Sequence, residues 1–70
     1  MNEILFIVEE APEGGYTAKA VGSSIFTEAE TIGELKEMVR EAIFCHFEGD
    51  DLPKLARLHF IKEEILTLAS

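Results

Sequence analysis

The spacing of apolar and polar positions changes several times along the chain. Glu3–Glu10 reads EILFIVEE, five consecutive branched or aromatic apolar residues bounded by acids, which predicts a β-strand. Successive strand residues point to opposite faces, so Ile4, Phe6 and Val8 share one face and Leu5 and Ile7 the other. A strand that is apolar on both faces belongs in the interior of a sheet, covered from both sides. Residues 11–15, APEGG, supply the proline and glycines of a turn. Residues 16–21 then alternate, Tyr16, Ala18 and Ala20 against Thr17, Lys19 and Val21, as in a second, half-buried strand. A further turn at 22–24 leads to a short third strand at 25–28, with Phe26 as its inward anchor.

At Thr31 the period becomes helical. Thr31-Ile32-Gly33-Glu34 is a capping-box sequence: the threonine oxygen accepts from the third helical amide and the glutamate reaches back. Ile32, Leu35, Val39, Ala42, Ile43 and His46 recur at three- and four-residue intervals, with Met38 and Cys45 on the flanks, Cys45 as a partly buried core thiol. Glu34, Lys36, Glu37, Arg40 and Glu41 take the opposite side. Gly49 marks the stop as a left-handed residue, with Pro53 beyond it. Leu55–Ile61, LARLHFI, alternates in its second half, Leu58 and Phe60 against Arg57, His59 and Ile61, and reads as a fourth strand. Ile65, Leu66 and Leu68 follow; the period admits either a continued strand or a short helix over 62–69.

The predicted fold is therefore α+β, a single domain over residues 1–70 in the order βββαβ. Its four-stranded sheet has the order 3-2-1-4, because the most apolar strand takes an interior place, and one helix packs on one face. Tyr16, Ala18, Ala20, Phe26, Leu58 and Phe60 are the better partners for that helix. The other face then gathers Leu5, Ile7, Thr17, Lys19, Val21, His59 and Ile61, apolar in the middle and polar around it. One helix cannot cover two faces, and a domain of this size buries only about 60% of its unfolded surface. A homodimer or higher oligomer through the sheet is expected, with Leu5, Ile7, Val21 and Ile61 at the contact, unless the C-terminal tail covers that face within one chain.

Charge narrows the partners. Fourteen acids against six bases give −8, which keeps the chain soluble, repels phosphate backbones and attracts basic proteins. Direct nucleic-acid binding is not expected. Nor is a membrane span, since the longest N-terminal apolar run, residues 4–8, is far too short. The single cysteine forbids an intramolecular disulfide and suits the cytoplasm.

Chemistry is sparse. Cys45, His46 and His59 lack the spacing of a zinc site and read as structural or surface residues. Glu9, Glu10 and Glu13, and Glu48, Asp50 and Asp51, fall at predicted turns, where solvated acids are ordinary. No catalytic residue, metal or cofactor is assigned, and the chain is not expected to be an enzyme.

The ordered series of features resembles a known family. An aromatic-small-small strand (Tyr16-Thr17-Ala18-Lys19-Ala20), a short strand holding Phe26, a T-x-x-E link over 27–31 and a helix ending Glu41-Ala42-Ile43 resemble the N-terminal domain of HicB antitoxins, across residues 3–61. The link carries Ala29-Glu30 where the family commonly has Gly-Asp, and the residues after the fourth strand are too few for the helix pair of the family's DNA-binding module, so none is expected here. The resemblance implies the toxin-facing part alone: an interaction module that binds and occludes a small basic ribonuclease toxin, HicA, and self-associates through its sheet. The alternative is an orphan oligomeric domain of the same fold, structural or ligand-binding, with no toxin partner.

Overall fold

The computed structural model describes residues 2–69. Its elements are β1 (Glu3–Glu10), β2 (Tyr16–Ala20), β3 (Phe26–Ala29), α1 (Ile32–His46), a 3₁₀ turn (Gly49–Asp51) and β4 (Leu55–Ile61). The sheet order is β3-β2-β1-β4. β1, β2 and β3 pair antiparallel, and β4 lies parallel to β1. The α+β fold and the 3-2-1-4 order read from the sequence are those observed.

The hairpin between β1 and β2 closes with Ala11 N–H donating to Gly15 O and Gly14 N–H to Ala11 O, both at 3.0 Å. Gly14 and Gly15 have φ of 103° and 82°. Gly15 also sits against the end of β3, where a Cβ would lie 2.8 Å from the carbonyl oxygen of Ala29. Both the positive φ and the neighbouring backbone exclude a side chain. Gly15→Ala is expected to cost about 1–3 kcal/mol, read as a lowered urea midpoint. An unchanged midpoint would mean that the hairpin shifts freely.

Thr31 caps α1, its Oγ1 accepting from Glu34 N–H at 3.1 Å. The glutamate does not close a reciprocal box; its carboxylate accepts from the Thr31 hydroxyl at 3.2 Å. Leu35, Val39 and Ile43 are the buried stripe of the helix. They meet Ile4, Phe6, Val8, Ala18, Ala20 and Ile25 in one core, with Phe6, Val8 and Leu35 sealed completely. The alanines of β2 let the helix approach the sheet closely.

Four sequence expectations are corrected. Phe26 is not an inward anchor but stands 60% exposed, and Ile25, before the strand, is buried in its place. Phe26 pairs with Lys19, which places it on the face away from the helix, and Thr27 on the face toward it. Thr27 Oγ1 is buried there, without a hydrogen-bond partner among the described residues. His46 and Cys45 are both exposed; α1 ends at His46, and the half-buried Phe47 completes the stripe instead. Gly49 does have φ of 61°, but it opens the 3₁₀ turn, and the helix is closed by extended Phe47. Residues 62–69 form neither helix nor strand, are exposed throughout and cover no face of their own domain.

Candidate functional site

The helix-free face of the sheet is built by register. Phe26, Lys19, Ile7 and His59 lie in one row across the four strands, and Glu28, Thr17, Glu9 and Ile61 in the next. Val21 follows β2, its N–H donating to Leu5 O at 2.8 Å, which lines up Val21, Leu5 and Arg57. The four predicted contact residues therefore fall together on one surface. Leu5 and Ile7 are half-buried by their neighbours, whereas Val21 and Ile61 are 54% and 46% exposed. Phe26 and Leu55 add two more exposed large side chains to this face. Sequence reasoning missed them because each was assigned inward or left unplaced. The face is apolar at its centre, at Leu5 and Ile7, and charged around it, at Glu3, Glu9, Glu28 and Arg57.

One ion pair fixes an edge of that face. Arg57 Nε donates to Glu3 Oε2 at 2.8 Å and Nη2 to Oε1 at 3.2 Å, joining β4 to β1 through 54 residues of sequence. The Arg57 hydrogen bonds hold the Glu3 carboxyl below the usual carboxylate range, outweighing the desolvation that opposes them, and the Arg57 charge adds to the lowering. The same pairing raises the guanidinium further. A depressed carboxyl contributes stability that is complete above the ordinary glutamate range and disappears as pH falls through the lowered value. The pair is solvent-exposed, so its contribution is small. Acidification from about pH 7 to about pH 3 should thus lower the urea midpoint of the wild type more than that of Glu3→Gln. Parallel losses in the two proteins would contradict this.

Beside the face, at the hairpin end of the sheet, lies a cleft of about 540 Å³. Glu13, Glu28, Glu30 and Glu34 surround it, with Tyr16 and Met38, and no Lys or Arg lines it. Glu28 belongs to both the cleft and the bare face, so the acidic and apolar surfaces are continuous. The other sequence candidates do not converge. Among the described residues no three His, Cys, Asp or Glu side chains are placed to hold a metal ion. Exposed His46 packs edge-on against Phe47, with ring centroids 4.9 Å apart. No helix among the described residues is long and apolar enough to cross a membrane.

Two curated proteins resemble the chain along most of its length. A UPF0150 protein of Archaeoglobus fulgidus is 55% identical over 56 residues, covering 80% of this chain and 83% of the relative. A UPF0150 protein of Thermotoga maritima is 43% identical over 62 residues, covering 89% and 87%. No family model matches the chain. No solved structure matches it.

Proposed function

The chain belongs to the UPF0150 family, and from that premise, together with the HicB-like series of Tyr16–Ala20, Phe26, the 27–31 link and Glu41-Ala42-Ile43, we propose that it is a non-enzymatic, antitoxin-type interaction module of the cytoplasm. It binds a small basic ribonuclease toxin of the HicA kind and occludes its working surface. It also associates with itself. The observation that carries this reading is the bare sheet face, where Leu5, Ile7, Val21, Phe26 and Ile61 gather on one side of an acidic chain.

The division of labour follows from chemistry. Apolar area at the centre of the face supplies affinity, and a second copy offers the same apolar area in return. The carboxylates around the adjoining cleft attract a cationic partner and set the rate of encounter more than the strength of the complex. Occlusion needs no transferred proton and no metal; cover alone blocks a ribonuclease.

The experiment is co-purification of the tagged full chain with the product of the gene beside its own, in low and high salt. The reading predicts a small basic protein that is toxic when expressed alone, neutralised by this chain, and released as salt rises. A harmless neighbour that does not bind would favour the orphan oligomeric domain.

A further inference from the structure

The C-terminal segment and the open edge of β4 fit one another, but not within one chain. Residues 62–69, KEEILTLA, leave β4 without helix or strand, with Ile65, Leu66 and Leu68 at 89%, 82% and 85% exposure. The radius of gyration is 14.4 Å, against about 11 Å for a compact 70-residue domain. The longest extent is 58 Å, whereas an eight-residue strand such as β1 spans only about 27 Å. The segment therefore stands clear of its own domain.

β4 is the last strand of the sheet, and its outer edge has no partner among the described residues. Between β4 and α1 runs an apolar groove of about 860 Å³, lined by Val39, Ile43, Phe44, Leu52, Leu58 and Phe60. Phe44 and Phe60 are 61% and 48% exposed there. The cations that line it are Lys36, Arg40 and Lys54, three of the six in the chain. Arg40 is engaged by Glu37 at 2.6 Å, while Lys36 and Lys54 form no ion pair among the described residues.

We infer that this groove and edge receive the C-terminal segment of a second copy, which adds as a strand beside β4. Two-fold exchange makes the added strand antiparallel to β4, each copy giving its tail to the other. Alternation then places Leu66 and Leu68 on the groove side with Leu58 and Phe60, and Ile65 and Thr67 on the side of His59 and Ile61. Aligning apolar with apolar sets Leu66 beside Phe60, Thr67 beside His59 and Leu68 beside Leu58. α1 runs opposite to β4, so the early helical residue Lys36 lies near the Phe60 end of the strand. In this register the arriving Glu64 stands opposite Lys62 of the receiving chain, on the groove side that Lys36 also lines, and its present cation, its own Lys62, is a loose 3.8 Å away. Charge thus agrees with the antiparallel direction. The chain's own tail is a poor occupant, because it would have to reverse over Lys62-Glu63-Glu64, which has no Gly, Pro, Asn or Asp to form the turn.

The test uses full chains in which Cys45→Ser removes the native thiol. One carries His59→Cys, and the other, with a different tag, carries Thr67→Cys. Mixing and mild oxidation should give a disulfide-linked pair of the two chains. Leu66→Lys with Leu68→Lys, at exposed positions that do not threaten the fold, should halve the mass measured by light scattering. Absence of the mixed disulfide overturns the inference. So does, in a third chain carrying both His59→Cys and Thr67→Cys, a disulfide formed only within that chain, or an unchanged mass in the lysine variant. The register-specific disulfide between positions 59 and 67 reports the β4 edge alone and does not depend on toxin binding.

Discussion

Phe6→Ala is expected to remove a large part of the chain's stability. Phe6 is completely buried at the centre of β1, with Ala20 and Leu58 as its neighbours across the sheet. Removing a buried phenylalanine costs about 3–5 kcal/mol, from lost transfer energy and from the cavity left behind. At 0.05–0.15 kcal/mol per residue, the whole domain holds roughly 4–10 kcal/mol. One substitution therefore removes much of the margin. Urea denaturation followed by circular dichroism checks this, and a loss below about 1 kcal/mol would contradict the packing described.

One residue to either side, the same strand is expected to behave in the opposite way. Leu5 and Ile7 point to the helix-free face, where Leu5→Lys with Ile7→Lys opens no cavity in the core. The double variant should keep its circular dichroism spectrum and lose half of the wild-type mass by light scattering. The sheet face and the β4 edge adjoin at His59 and Ile61, but the two pairs of lysines strike different contacts, so the losses combine: all four substitutions, at Leu5, Ile7, Leu66 and Leu68, should give a folded monomer. A monomeric wild type at high micromolar concentration, or a double variant of unchanged mass, would remove the sheet-face contact.

The division of β1 into two faces, Phe6 on one and Leu5 and Ile7 on the other, was legible in the sequence, because side chains alternate along a strand; which face the helix seals came from the small residues of β2, not from β1, which is apolar on both sides. The 3-2-1-4 order was legible for a related reason. β1 is apolar on both faces and so demands strand neighbours on both sides, which β2 and β4 supply. Short elements were less readable. β3 has four residues, too few to set a phase by alternation, and taking Phe26 rather than Ile25 as the inward residue inverted its faces and hid Phe26 from the bare face. At the end of α1 the helical period pointed to His46, but the chain leaves the helix there. Phe47, its N–H still bonded to Ile43 O at 2.9 Å, turns back onto the core in extended conformation. Tail residues 62–69 were ambiguous between strand and helix because no surface of their own chain gives them a period to match. The bare face itself came from counting covers: one helix, two apolar faces.

The most direct measurement is methyl-resolved NMR of the full chain with a soluble paramagnetic probe, at increasing protein concentration and then with the basic partner. Ile7, Val21 and Ile61 methyls should lose probe accessibility as complexes form, while Ile4, Val8 and Ile43, already buried, stay unchanged. Ile7, Val21 and Ile61 methyls that remain equally accessible in every complex would contradict the claim that this sheet face is where the protein makes its contacts.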